Sequence, residues 1–101
     1  MATTSKALFR GAATTTVGTT LYTVPSSTTT VVTEIMVVNT AASSGTFTMA
    51  LDDVSIATTV TVGANDSTVT PLKQVLTTTK TIKGGASATT INFHISGVEI
   101  V

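Results

Sequence analysis

The side chains able to do chemistry are few in this sequence. There is one histidine, His94, and the acids are Glu34, Asp52, Asp53, Asp66 and Glu99. A single histidine supplies neither a paired-imidazole metal site nor a second base. His94 alternates with Asn92 and Ser96 in an apolar/polar stretch, so it reads as an outward-facing strand residue with a structural role. Serines are present, but no G-x-S-x-G motif raises one on a strained turn. Asp52 and Asp53 are adjacent, and Asp favours turns because its carboxylate accepts hydrogen bonds from nearby backbone N–H groups. Turn chemistry therefore accounts for them better than the separated carboxylate pair of a glycosidase. A loop-borne calcium site would have to join Asp52, Asp53 and Asp66, in a spacing that matches no EF-hand loop.

Gly84-Gly85 lacks the lysine and the following helix of a phosphate-binding loop. Lys73, Lys80 and Lys83 cluster in sequence and read as edge-strand lysines that block unwanted strand addition. Asn65-Asp66-Ser67 matches a glycosylation acceptor, but no signal peptide is read to go with it. This reading assigns no catalytic, cofactor-binding or metal-ligating residue, and expects no enzyme activity and no cofactor.

The elements that would hold any site are strands. Threonine fills about a quarter of the positions, in runs such as Thr14-Thr15-Thr16, Thr28-Thr29-Thr30 and Thr77-Thr78-Thr79. A β-branched residue is stiff at χ1 and suits a pleated surface, and its hydroxyl faces water without charge. Charged residues make up 10% and the formal net charge is +0, which argues against a nucleic-acid or anionic-membrane partner. A neutral surface favours association, so the chain is expected to work inside an assembly. With no cysteine, disulfides and thiolate zinc sites are excluded. No apolar run reaches membrane-span length, and Met1 to Arg10 lacks a signal-peptide core, so a soluble chain made in the cytoplasm is expected.

Period-two patterning recurs along the chain. Leu21 to Val24 reads as a strand stopped at Pro25-Ser26-Ser27. In Val31 to Asn39 the alternation places Val31, Ile35 and Val37 on one face, with Val32, Glu34, Met36 and Val38 on the other. Both faces are apolar, as in a central strand covered by a second sheet on one side and a neighbouring subunit on the other. Ala41 to Gly45 reads as a loop, with Gly45 supplying a positive φ. Thr46 to Leu51 points Phe47, Met49 and Leu51 inward and is expected to form a hairpin with the preceding strand. Val54 to Val62 and Val69 to Leu76 follow, with Pro71 marking an edge or a bulge. Lys80 to Lys83 reads as a short exposed strand ended by Gly84-Gly85. The last strand, from Ile91, is expected to break at Gly97.

The fold class is therefore all-β: a single antiparallel β-sandwich, jelly-roll or immunoglobulin-like, of about seven or eight short strands. Residues 19–101 form the sandwich. Residues 1–18 are an N-terminal arm, extended against a neighbour, or a first strand.

One stretch is similar to a known group. Thr20-Leu21-Tyr22-Thr23-Val24-Pro25, a short polar gap, Val31 to Asn39 and then Thr40-Ala41-Ala42 resembles small virion proteins of tailed bacteriophages. Ile56 to Leu76, with Ala64-Asn65-Asp66 before a strand, resembles them too, so the likeness spans about Thr19 to Leu76. The resemblance implies a non-enzymatic structural protein in the virion, made in the host bacterial cytoplasm. It implies a capsid decoration protein that binds the major capsid protein, with a tail, neck or fibre accessory protein as the alternative. The implied partners are copies of itself and other virion structural proteins. A carbohydrate-binding surface module is weaker, because sugar rings stack on exposed aromatics and the chain has no Trp and one Tyr.

Overall fold

A computed structural model describes residues 2–101 as eight strands and no helix. The strands are β1 (Thr3–Ala12), β2 (Thr20–Thr23), β3 (Thr29–Asn39), β4 (Gly45–Leu51), β5 (Val54–Val62), β6 (Ser67–Leu76), β7 (Thr81–Ala86) and β8 (Ile91–Ile100). They form two four-stranded sheets, in the orders β1-β8-β3-β6 and β2-β7-β4-β5. Every pairing is antiparallel. β1 pairs β8, β2 pairs β7, β3 pairs β6 and β4 pairs β5. This is one long hairpin, with its tip at Asp52-Asp53, wound around a common core, which is the jelly-roll path. The body measures 45 × 21 × 18 Å.

The core lies between the sheets and is aliphatic, as the composition requires. Phe93, Met49, Ile82, Ile91, Ile95, Val24, Val32 and Val37 are fully buried. Phe47 meets Phe93 edge to face across the gap, with ring centroids 6.1 Å apart. Phe47, Met49 and Leu51 do point inward along β4.

Several local expectations are corrected. β4 does not pair with β3; the chain crosses to the other sheet between them, and β4 lies between β5 and β7. The faces of β3 are not read correctly by simple alternation. The register shifts between Val32 and Glu34, and the extra residue of a bulge exchanges the faces from there on. Val32 therefore joins Ile35 and Val37 in the core, while Val31 lies outward with Met36 and Val38. That bulge faces Pro71 on β6, an edge strand, so the proline occupies both an edge and a bulge.

Gly45 begins β4, and no glycine has a positive φ; the turns instead place Ser27, Asp52, Asp53, Asn65 and Thr79 there. β7 is an interior strand that runs on through Gly84, Gly85 and Ala86, all buried, and is neither exposed nor ended by the glycines. Gly85 is needed because a Cβ there would lie 2.5 Å from the Thr16 carbonyl oxygen. The loop between β1 and β2 crosses at that point, held by bonds from Gly84 N to Thr19 O and Ala86 N to Thr14 O. Gly97 does not break β8 either. It sits in the strand interior, where a Cβ would lie 2.5 Å from Val31 O and 2.7 Å from Leu8 Cδ1. At the chain start, Thr3–Ala12 forms the first strand, β1, and pairs along β8 with one bulge at Ala7/Phe9.

Candidate functional site

The residues singled out for chemistry are dispersed. His94 lies half-buried on the outer face of the first sheet, in register with Arg10 on β1 and Met36 on β3. Asp52 and Asp53 form the two-residue turn between β4 and β5, with φ of 54° and 60°. These are the left-handed conformations that a tight hairpin turn demands and that Asp tolerates. Asp66 lies beyond the opposite end of β5, so the three aspartates do not converge. Among the described residues, no three His, Asp or Glu side chains come together as metal ligands.

The lysines are likewise parted. Lys80 approaches Asp52 at 3.5 Å and Lys83 approaches Asp53 at 2.8 Å, both on the surface. Exposed pairs of this kind are worth at most about 1 kcal/mol. Lys73 does sit on edge strand β6, whereas Lys83 is on interior strand β7.

A polar cluster that the sequence reading missed joins the two sheets on their β1/β2 side. Tyr22 reaches from β2 across to the other sheet, where its hydroxyl donates to Glu99 Oε2 on β8. The same hydroxyl lies 2.9 Å from Thr30 Oγ1 on β3, a fully buried threonine. With its proton given to Glu99, the phenol oxygen accepts from Thr30. Lys6 Nζ on β1 lies 3.4 Å from both Glu99 oxygens. Burial first, and then the bond to Glu99, push the Tyr22 phenol up to about 12. A phenol this reluctant to ionise holds its proton as a donor, so the cluster acts as a clasp between sheets. Its signal in the sequence is faint: Glu99 takes an inward position in an apolar strand.

A second buried polar group pins the far end. Asn39 Nδ2 donates to the carbonyls of Ser43, Val62 and Gly63, and Asn39 Oδ1 accepts from Ala41 N. This fixes the loop after β3 against the end of β5. No buried side-chain polar atom among the described residues lacks a partner.

What remains distinctive is apolar surface, in two places. On the outer face of the first sheet, Val98, Val31 and Val75 form one row across β8, β3 and β6, with Ser5 at its end. Met36 and Val69 are paired nearby, and Val69 and Val75 are 50% and 62% exposed. The other place is the side of the sandwich between β5 and β6. There the sheets part over a cleft of about 170 Å³ lined by Ile35, Phe47, Met49, Ile56, Leu72 and Gln74, among others. Val54 and Val60 pair with Leu51 and Phe47, so they point to the inner face of their sheet. They are nevertheless 66% and 39% exposed, and Ile56 is 45% exposed. The opposite side is closed by Leu8, Phe9 and the Tyr22–Glu99 clasp.

Neither a protein-family model nor a curated protein matches the sequence. Among solved structures the chain is similar to "Crystal structure of Agl-KA catalytic domain", at 15% identity and a TM-score of 0.40, over 87% of this chain and 20% of that one. The chain thus spans one fifth of the length of that structure.

Proposed function

We propose that this protein is a non-enzymatic structural component of a tailed-phage virion, a capsid decoration protein that binds the major capsid protein. The observation that carries this reading is the outer face of the first sheet. Central strand β3 is apolar on both sides: the second sheet covers Val32, Ile35 and Val37, while among the described residues no element packs over the row of half-buried Val31 and Val98 and exposed Val75. Contiguous apolar surface of this kind marks an interaction site. The surroundings of the row are threonine and serine with little charge, which suits a contact repeated many times with modest energy in each copy. The resemblance of Thr19 to Leu76 to phage virion proteins agrees with it. Jelly rolls recur in viral capsid domains, and also in lectins and cupins, so the fold alone does not choose among these.

Co-sedimentation with purified capsids tests the reading. The wild-type chain is expected to pellet with capsids to saturation, and V69K/V75K, which charges only the outer face, is expected to stay in the supernatant. Equal pelleting of both, or none by the wild type, contradicts the proposal.

A further inference from the structure

An aspartate or asparagine can react with its own chain, because the next backbone nitrogen can close a five-membered ring on the side-chain carbonyl carbon. Six positions could do so: Asn39, Asp52, Asp53, Asn65, Asp66 and Asn92. At five of them the groups are engaged elsewhere. After Asn39, the Thr40 nitrogen donates to Thr90 O, and after Asn65, the Asp66 nitrogen donates to Gly63 O. Phe93, after Asn92, is paired in an interior strand with neighbours on both sides. The Asp52 and Asp53 carboxylates are turned to Lys80 and Lys83. Asp66 differs on every count. It is exposed, as is Ser67, and among the described residues it takes no salt bridge. Asp66 O accepts from Asn39 N on β3, at 2.8 Å. Carbonyl and N–H of a trans peptide point opposite ways, so the Ser67 N–H is aimed off the open edge of β6, where no strand pairs with it. There it donates to Asp66 Oδ1 at 2.8 Å, which holds the nitrogen against the carboxyl group that it would attack.

We infer that Asp66-Ser67 is a spontaneous modification site, where the chain forms a cyclic succinimide and then an isoaspartyl linkage. The Ser67 nitrogen gives up its proton and bonds to Asp66 Cγ. The C–OH bond of the protonated carboxyl breaks, and the hydroxyl leaves with that proton as one water. A water then adds back to the ring. Opening at Cγ restores aspartate, whereas opening at the main-chain carbonyl leaves the chain running through Cβ and Cγ, one carbon longer and unchanged in mass. Serine suits the step, since it is not β-branched and does not crowd the nitrogen as the valine after Asp53 does. The lesion has a structural consequence. The Asp66 carbonyl becomes part of a free carboxylate outside the main chain, and the added carbon puts β6 out of step with β3. Asn39 N then loses its acceptor, next to the buried amide that fixes the loop after β3. The inference is independent of the virion reading, because it depends only on this turn.

The test is ageing of the full folded chain for several weeks in warm, mildly acidic buffer, where carboxyl groups are protonated more often. Peptide mapping follows, with isoaspartyl methyltransferase labelling. The peptide containing Asp66 is expected to take up label with no change of mass, preceded by a form lacking one water. Asp52, Asp53 and Asn92 are expected to stay unlabelled. S67V, which crowds the nitrogen at an exposed strand position, and D66E, which would need a larger ring, are expected to lose the label. Circular dichroism checks that both variants are folded, and either one alone suffices. Hydrogen exchange at the Asn39 amide is expected to be faster in the isomerised fraction than in fresh protein. Absence of label at Asp66 overturns the inference, as does equal labelling of Asp52 or Asp53. So does label that persists in folded S67V, or a labelled peptide whose mass has risen by deamidation of Asn65. Unchanged exchange at Asn39 in the isomerised fraction overturns the structural consequence.

Discussion

Tyr22 is the only tyrosine in the chain, so its ionisation can be read directly from ultraviolet absorbance. A phenol is charged only when deprotonated. Raising its folded-state value to about 12, from about 10 in an unfolded chain, means that the native state holds the proton longer. The stabilisation is then fully present below pH 10 and is lost as pH rises through 12. A gap of this size corresponds to on the order of 2 kcal/mol. Replacing Tyr22 by Phe removes the donor to Glu99 and the partner of buried Thr30. Leaving such groups unpaired costs about 2 kcal/mol at neutral pH, which in a domain of this size lowers Tm by about 10 °C. Urea unfolding of wild type and Y22F at pH 8 and pH 11.5 is the assay, with absorbance titration of the native wild type alongside. The wild-type advantage is expected to be large at pH 8 and to shrink at pH 11.5, with the phenol titrating near 12. A titration midpoint near 10, or a Y22F protein as stable as wild type at pH 8, refutes the clasp.

Other substitutions probe the rest of the fold. Phe93, fully buried against Phe47, should lose about 3–5 kcal/mol on change to Ala, seen as a much lower urea midpoint. G97A, whose new Cβ would press on the Val31 carbonyl, should destabilise by about 1–3 kcal/mol, while G18A, with open space around it, should leave the melting temperature unchanged. N39A removes three donations and one acceptance. It should speed hydrogen exchange at Ala41 and lower stability by about 2 kcal/mol. Equal exchange at Ala41 in N39A and wild type would show that the loop is held by other means.

Strand positions were legible because alternation is local: Phe47, Met49 and Leu51 face inward wherever β4 pairs, and Ile91, Phe93 and Ile95 do the same in β8. Sheet order was not legible. Whether β3 meets β4 or β8 depends on packing between residues far apart in sequence, and a short small-residue loop such as Ala41 to Ser44 serves a hairpin or a crossover equally well. The bulge at Val32/Glu34 inserts one residue and reverses a face assignment that period two alone gets wrong. Gly97 and Gly85 look like breakers in sequence, yet each marks a place where another segment passes too close for a Cβ. The Tyr22–Glu99 clasp joins residues 77 apart in the chain, which no local pattern reports. The open β5/β6 side was equally hidden, because Val54 and Val60 have the spacing of core residues and differ only in what fails to cover them.

The proposal that this chain decorates a capsid is tested most directly by counting it on the purified heads and tails of tailed-phage particles, by quantitative mass spectrometry. Many copies per head, scaling with the major capsid protein and absent from tails, are expected. A chain confined to tails, or missing from particles altogether, would contradict the account.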